Sequence, residues 1–249
     1  MTDVEKVLIV TGGGRGIGAA TARTAAARGF KVAVNYHNSS EAAASVVEDI
    51  RSSGGVASAV RADVGKAGEV ARLFASVEGD LGPVAALVNN AGIAAGHCRV
   101  DALDPEALRR VLEVNVMGCF LCAAEAVRRM SAARGGRGGA IVNVSSQAAR
   151  FGGESLAHYA ASKAAVDTFT LSLAREVAKE GIRVNAVSPG VIHTDQYDLS
   201  DPLRVKYLES AIPLGRIGAP EEVAEAILWL ISEQASYVTG TILPVAGGR

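Results

Sequence analysis

The sequence predicts one α/β domain with a doubly wound parallel sheet of about seven strands and helices on both faces. Short apolar segments alternate with longer helix-compatible segments, which is typical of a parallel sheet covered on both sides. A glycine-rich segment at residues 11–18 directly follows the first apolar segment. The chain has 249 residues, of which 49% are hydrophobic, enough for one large core. We therefore treat residues 1–249 as a single domain.

The predicted elements alternate in chain order. Strands are expected at residues 7–11, 31–36, 56–62, 85–89, 140–145, 183–187 and 242–245. Helices are expected between them at residues 18–28, 41–53, 105–129, 157–180 and 221–230, and Pro220 is a start signal for the last. The Arg-Gly-Gly-Arg-Gly-Gly segment at 134–139 predicts a flexible turn before the fifth strand, not a domain linker.

The charge balance excludes some classes of partner. The chain has 25 basic and 26 acidic residues, and this balance gives no support for a nucleic-acid or membrane partner. No apolar segment suits a membrane span, and the N-terminal residues lack the features of a signal peptide. A cytoplasmic location is the expectation.

The cysteines and histidines do not predict a metal site. Cys119 and Cys122 match the C-x-x-C spacing, but they lie in an apolar helical segment and only Cys98 occurs elsewhere. We interpret the pair as small packing residues. His97, His158 and His193 are scattered without matching carboxylates or cysteines, which favours surface or pocket-lining roles.

The glycine-rich segment predicts a dinucleotide site. Its glycines let the backbone turn tightly and approach a pyrophosphate, and the helix that follows directs N–H groups at the phosphates. The strand before it and a spacing of about 20 residues to the second strand fit this fingerprint. The cofactor-binding candidates here are Gly12, Gly14, Arg15, Gly16, Ile17 and Gly18.

A second motif predicts proton transfer. Tyr159 and Lys163 are four residues apart in a helix-compatible segment, so their side chains share one helical face. A nearby ammonium favours the phenolate, so we expect Lys163 to lower the pKa of Tyr159. Tyr159 is therefore a candidate general acid or base.

Together these motifs resemble the short-chain dehydrogenase/reductase family, and the resemblance covers nearly the whole chain. It is carried by the glycine loop, Asp63-Val64, Asn89-Asn-Ala-Gly92, Asn115, Ser146, Tyr159-x-x-x-Lys163, Pro189-Gly190 with Thr194, and Gly247-Gly248. The nearest branches are bacterial proteins similar to glucose-1-dehydrogenase and 3-oxoacyl-carrier-protein reductase. The resemblance implies the Rossmann fold.

The resemblance also implies roles for individual residues. Tyr159 would exchange a proton with the substrate oxygen, Lys163 would tune Tyr159 and hold the nicotinamide ribose, and Ser146 would hydrogen-bond the carbonyl. Asn115 would distort its helix and position a relay water. Ser146, thirteen residues before Tyr159, is favoured over Ser145. The further cofactor-binding residues implied are Asn35, Tyr36, His37, Asp63, Val64, Asn89, Ala91, Gly92, Pro189, Gly190, Ile192 and Thr194.

The cofactor preference depends on the end of the second strand. NAD-selective folds of this kind place an acid there, which would repel a 2′-phosphate, whereas this chain has Tyr36 followed by His37 and polar residues. Arg15 in the glycine loop can contact a phosphate. We predict NADP(H), with NAD(H) also possible because no Arg or Lys directly follows Tyr36.

The substrate is less defined. Residues 193–217 are expected to form a lid, and Asp195, Tyr197, Asp198, Asp201 and Pro202 lie in it, with the acids interpreted as helix-start residues. Candidate pocket walls are Gln147, Gly153, His158 and His193. The favoured function is an NADP(H)-dependent carbonyl reductase or alcohol dehydrogenase acting on a small substrate.

Two alternatives remain open. One is reduction of 3-oxoacyl groups on an acidic carrier protein, which Arg128, Arg129, Arg134, Arg137 and Arg175 could dock. The other is a redox-sensing regulator that binds NADP(H). The resemblance also implies a homotetramer formed through the two long helices, with the C-terminal segment making a second contact.

Overall fold

A computed structural model describes residues 6–194 and 201–249. In the described residues the strands form one parallel sheet in the order β3-β2-β1-β4-β5-β6-β7. The strands are β1 Val7–Val10, β2 Lys31–Tyr36, β3 Ala57–Arg61, β4 Val84–Asn89, β5 Gly139–Val144, β6 Ile182–Pro189 and β7 Ile242–Val245. The predicted doubly wound fold is confirmed.

Helices cover both faces of this sheet. They are α1 Gly16–Ala27, α2 Ser40–Ser52, α3 Ala67–Leu81, α4 Pro105–Leu112, α5 Gly118–Met130, α6 Ala148–Phe151, α7 Ala157–Val177, α8 Pro202–Ser210 and α9 Pro220–Ile231. None of the helices in the described ranges is both long enough and apolar enough to cross a bilayer.

The central strand β1 explains the two-sided core. All four of its residues are fully buried. Leu8 and Val10 pack in the cluster that contains α1, α2 and α9, whereas Val7 and Ile9 pack in the cluster that contains α3, α5 and α7. Because successive strand residues point to opposite faces, a continuous apolar strand needs a helical layer on each side.

The order of the strands places the site. It reverses between β1 and its neighbour β4, so the connections that leave these two strands diverge to opposite faces of the sheet. Ligands of open α/β sheets bind in the crevice at such a switch point, at the carboxyl ends of the strands. The glycine loop after β1 and the Asn-Asn-Ala-Gly segment after β4 both lie there.

The prediction of one helix at 105–129 is wrong in its middle, at the point where the resemblance implied that Asn115 distorts the helix. The structure has α4, then a π-helical segment at Glu113–Met117, then α5. Asn115 lies inside that segment, and its side chain bonds groups outside the helix. π-Helical insertions are frequent at functional sites, and this one lets the Asn115 side chain bond the backbone of Ile93, in the loop after β4.

Candidate active site

The glycine loop is held by two asparagines. The Nδ2 of Asn90 donates to the carbonyls of Thr11 at 2.9 Å and Gly12 at 3.0 Å. The Oδ1 of Asn35 accepts from the N–H of Gly12 at 3.3 Å. Gly12 and Gly16 have φ values of 61° and 52°, a left-handed conformation that glycine adopts without a side-chain clash. The loop shape is thus fixed by β2 and β4 as well as by its own glycines.

A cavity of about 480 Å³ opens over this loop and extends to Tyr159. Its volume lies in the range of cofactor and ligand sites. Most of the predicted residues line it: Gly12, Gly14, Arg15, Gly16, Ile17, Asn35, Tyr36, His37, Asp63, Val64, Ala91, Gly92, Ser146, Tyr159, Lys163, Pro189, Gly190, Ile192 and Thr194. The fold therefore gathers the separate motifs around one space.

Three predicted residues lie behind the wall of this cavity. Gly18 packs so tightly that a Cβ would lie 2.4 Å from the carbonyl oxygen of Gly12. Asn89 is buried, and its Nδ2 donates to Asn143 Oδ1 at 2.9 Å and to the Cys119 carbonyl at 3.3 Å. Asn115 is also outside the cavity. These residues support the site from within the fold.

Sequence reasoning missed part of the wall. The additional lining residues are Asn38, Ser39, Ala62, Asn90, Ile93, Arg110, Val114, Val144 and Ser145. Asn90 belongs to the same Asn-Asn-Ala-Gly motif as Asn89, so strand alternation could have assigned the two side chains to opposite roles. Arg110 carried no sequence signal, because only the packing of α4 brings it near β3.

Arg110 forms the centre of an ionic cluster at one end of the cavity. Its guanidinium is 3.0 Å from Asp63 Oδ2 and 3.5 Å from Glu113 Oε2, and His37 Nε2 is 3.9 Å from Asp63 Oδ2. Burial alone would raise the pKa of Asp63, but hydrogen bonds from Arg110 and the Gly65 N–H lower it overall. Asp63 is consequently an ionised acceptor in the cavity wall.

Ser146, Tyr159 and Lys163 meet at the other end. Ser146 and Tyr159 line this end of the cavity together, and the Ser146 side chain acts to lower the pKa of the Tyr159 phenol. Lys163 Nζ lies 5.8 Å from the centre of the Tyr159 ring and donates to the Val144 carbonyl at 2.7 Å. Ser145 is buried behind them, with its hydroxyl 3.4 Å from the Lys163 carbonyl. Ser146, not Ser145, is therefore the serine that influences the phenol.

The expected effect of Lys163 on Tyr159 requires correction. Burial raises the pKa of Tyr159, and the opposing effect comes from Ser146. Lys163 itself is 4% exposed, and burial lowers its pKa to about 8, against opposing effects of Cys119 and Asp167. The motif predicted proximity correctly, but the depth of burial determines the direction of the pKa change.

Asn115 connects the π-helical segment to the loop after β4. Its Oδ1 accepts from the Ile93 N–H at 2.8 Å, and its Nδ2 donates to the Ile93 carbonyl and to Ser162 Oγ, each at 2.9 Å. Beside it is an internal cavity of about 10 Å³, which Lys163 also lines. That volume is at the lower limit for one water molecule.

The four residues predicted to form the walls of the substrate pocket lie in different surroundings. The Gln147 amide donates to the carbonyl and the hydroxyl of Ser188, so it is anchored to β6. His158 is buried and contacts the Ala94 carbonyl, whereas Gly153 and His193 are exposed. None of the four lines the described cavity.

Only part of the predicted lid at 193–217 is described. Asp195, Tyr197 and Asp198 lie outside the described residues. Asp201 caps α8, since its Oδ1 accepts from the Leu203 N–H at 2.9 Å, as its interpretation as a helix-start residue predicted.

The cysteines behave as packing residues. Cys119 and Cys122 are buried, and burial raises the pKa of both thiols, that of Cys119 to about 12. In residues 6–194 and 201–249, no group of three or more His, Cys, Asp or Glu side chains could hold a metal ion.

The comparisons with known proteins agree with this geometry. A family model described as enoyl-(acyl carrier protein) reductase matches residues 12–249. An uncharacterized oxidoreductase of Escherichia coli K12, YgfF, is 49% identical, with 98% of this chain and 99% of the relative covered. An L-rhamnose 1-dehydrogenase (NAD(P)(+)) of Sphingomonas is 40% identical, with coverages of 98% and 95%.

A further relative and a solved structure extend the comparison. A 3-oxoacyl-[acyl-carrier-protein] reductase of Synechocystis is 41% identical, with 98% of this chain and 96% of the relative covered. The structure of a doubly substituted mutant of a Serratia marcescens short-chain dehydrogenase/reductase superposes with a TM-score of 0.90 at 34% identity and covers 98% of this chain and 97% of the other. The chain belongs to the short-chain dehydrogenase/reductase family of oxidoreductases.

Proposed function

We propose that this protein is an NADP(H)-dependent enzyme that interconverts a carbonyl and an alcohol, with Tyr159 as the general acid and base. The observation that carries the proposal is one cavity that joins the glycine loop to the Ser146, Tyr159 and Lys163 cluster. A phenol, a hydroxyl and an ammonium in contact with a dinucleotide site are the groups that hydride transfer to a carbonyl needs.

The residues of the cavity fit a nicotinamide dinucleotide. Gly12, Gly14 and Gly16 present backbone without side chains beside the N-terminus of α1, which suits a pyrophosphate. Ionised Asp63 can accept a hydrogen bond from the amino group of an adenine. Pro189, Gly190 and Thr194 would hold the nicotinamide end. When bound, the nicotinamide would supply or accept the hydride.

The protein's own part is proton transfer. A phenol is protonated at neutral pH and burial raises the pKa of Tyr159 further, so Tyr159 can donate to a substrate oxygen. Ser146 lies in the same cavity wall as Tyr159 and can hydrogen-bond the same substrate oxygen. Lys163, with a pKa of about 8, can exchange protons close to neutrality. Asn115 would position a water beside Lys163 for this exchange.

The end of β2 supports NADP(H) as the preferred cofactor. Tyr36, His37, Asn38, Ser39 and Arg15 line this part of the cavity and present hydroxyl, amide and basic groups. An acid at position 36 would repel the 2′-phosphate. We expect wild-type protein to bind NADPH at least tenfold more tightly than NADH, about 1.4 kcal/mol, and Tyr36→Asp to abolish the difference.

Tyr36→Asn is the matched control, because it removes the same aromatic packing without adding a charge. It should retain most of the preference for NADPH. Equal affinities of wild-type protein for NADPH and NADH, measured by fluorescence titration, would refute the cofactor preference. They would leave the proposed carbonyl–alcohol reaction untested and unchanged.

The reaction is tested by initial rates of NADPH and NADH oxidation with diketones, aldehydes, sugar lactones, and 3-oxoacyl and enoyl thioesters. Tyr159→Phe removes one oxygen atom and should reduce kcat by at least a hundredfold while NADPH still binds. Turnover that survives this substitution would contradict the role of Tyr159. Tight NADPH binding without turnover on any substrate is the result expected of a redox-sensing regulator.

A carrier-protein reductase is the second candidate, and the name of the 41% identical relative favours it. Two of the five predicted docking arginines are engaged within the chain: Arg128 pairs with Glu125, and Arg129 with Glu78 and Glu125. Arg137 and Arg175 are exposed and suit a docking role better. Charge reversal at both should raise KM for acyl-carrier substrates and spare the free thioesters.

We also propose a cytoplasmic homotetramer assembled through α5 and α7. Phe120 of α5 is 47% exposed and stacks on Phe169 of α7 with ring centroids 3.8 Å apart. Met117, just before α5, is 50% exposed. An apolar surface on helices whose other face already covers the sheet suits a contact between subunits.

A further inference from the structure

Two loops at the Tyr159 end of the cavity share an unusual backbone conformation. The first follows β4 and contains Ala95, and the second precedes α7 and contains Ser155. Their φ values are 53° and 58°, and in the described ranges they are the only residues other than glycine with positive φ. Such conformations are strained for residues with a side chain and persist only where the surroundings hold them.

Two hydrogen bonds join these loops beside the strained residues. The Cys98 N–H donates to the Ser155 carbonyl at 2.8 Å. His158 Nε2 lies 2.6 Å from the carbonyl oxygen of Ala94, the residue that precedes Ala95. A carbonyl oxygen only accepts, so Nε2 of His158 carries the proton and donates. The two bonds form a clasp between the loops.

The clasp is anchored next to the reacting groups. His158 is 4% exposed, in the first turn of α7, and directly precedes Tyr159. The loop it holds begins at Gly92 and Ile93, which line the cavity with Ser146 and Tyr159. Asn115 fixes Ile93 from the other side through both its N–H and its carbonyl. The loop is thus fixed at Ile93 and again at Ala94 and Cys98.

We propose that His158 is a positioning residue that holds the loop of residues 94–98 as a wall of the substrate site. It acts through the Ala94 carbonyl, and it sets the affinity for the carbonyl substrate rather than the proton chemistry of Tyr159. This inference rests on the proposed function, because it takes the space beside Ser146 and Tyr159 as the place of the carbonyl.

A pair of variants separates the hydrogen bond from the packing. His158→Leu fills the buried volume but has no donor, whereas His158→Gln places an amide N–H near the position of Nε2. We expect His158→Leu to raise KM for the carbonyl substrate at least tenfold, with kcat and the Kd for NADPH within threefold of wild type. His158→Gln should restore KM to within threefold.

Hydrogen exchange gives a readout that needs no turnover. The Cys98 amide is protected by its bond to Ser155, so peptides covering 94–98 should exchange at least tenfold faster in His158→Leu than in wild type or His158→Gln. The exchange measurement tests whether His158 holds the two loops together even if wild-type protein reduces none of the substrates offered. That absence of turnover would refute the proposed function alone.

Three outcomes would overturn the inference. They are unchanged exchange and KM in His158→Leu, a fall in kcat without a rise in KM, and failure of His158→Gln to restore KM or exchange. Should His158→Leu not fold, the exposed Ala95→Val tests the same wall, because a β-branched residue disfavours the positive φ at which the loop is held. It should raise KM by a smaller factor, and an unchanged KM would also refute the proposal.

Discussion

At the scale of single residues, the site contains a buried cation that costs stability. The pKa of Lys163 falls from 10.5 to about 8 because burial disfavours its charge, and the opposing effects of Cys119 and Asp167 compensate only in part. An enzyme that keeps such a group retains it for function, and removal of the charge should stabilise the fold.

We therefore expect Lys163→Met to abolish turnover and to raise the Tm at pH 7. The unfolded chain holds the lysine proton up to about pH 10.5, whereas the folded chain releases it near pH 8. Between these values the unfolded state binds more protons, so the stability of wild type rises with pH through this window. The advantage of Lys163→Met should then shrink between pH 8 and 10.

Calorimetry of the two proteins at pH 7, 8.5 and 10 checks this prediction, and the comparison cancels titrations that both chains share. Tyr159→Phe is the control, since it removes the proposed proton donor without removing the ammonium. A lower Tm for Lys163→Met at pH 7 would mean that the bond to Val144 outweighs the cost of burial.

The sequence predicted which residues meet in the site better than how each one acts. Spacing alone placed Tyr159 beside Lys163, because a helix brings residues four apart onto one face. Spacing carries no information on burial, so it gave the wrong direction for the pKa of Tyr159. Asn35 lines the cavity as predicted, but its amide holds Gly12, Val60 and Ala62, a role that only the folded sheet defines.

At the scale of elements, the junction of β1 and α1 depends on the absence of one side chain. A Cβ at Gly18 would lie 2.4 Å from the Gly12 carbonyl oxygen and 2.5 Å from Asn90 Nδ2. Gly18→Ala must therefore displace the glycine loop from its two asparagines. We expect at least a tenfold loss of NADPH affinity and a lower Tm.

Gly79→Ala in α3 is the matched control. No atom lies within 4 Å of a Cβ built there, and alanine favours a helix over glycine by about 1 kcal/mol. Its NADPH affinity should match wild type, and its Tm should be equal or higher. Unchanged NADPH affinity in Gly18→Ala would show that the loop absorbs the clash without loss of function.

The strands were predictable because each is a short apolar segment bounded by turn residues. Periodicity did not predict the break at Glu113–Met117, because helix-compatible residues run through it, and only the resemblance implied that Asn115 distorts its helix. The irregular backbone of this segment is stabilised by contacts of Asn115 with Ile93 and Ser162, which lie 22 and 47 residues away in sequence.

At the scale of the whole molecule, the doubly wound fold followed from the alternation of elements. A partner surface does not follow in the same way, because an apolar helix face is equally compatible with the core of one chain and with a neighbouring subunit. The structure distinguishes the core face of α5 from its free face. One side of α5 contacts the sheet, whereas Phe120, and Met117 just before the helix, remain exposed.

Phe120→Asp tests whether this surface joins subunits. A carboxylate there would be buried without a partner in the proposed tetramer but hydrated in a separate subunit pair. We expect wild-type protein to have the mass of four chains by light scattering, and Phe120→Asp to have the mass of two, held by the C-terminal contact.

Val56→Asp is the control, because Val56 is 46% exposed, close to the value for Phe120, and lies before β3, away from α5 and α7. A tetrameric Phe120→Asp, or a monomeric wild type at micromolar concentration, would contradict assembly through these helices.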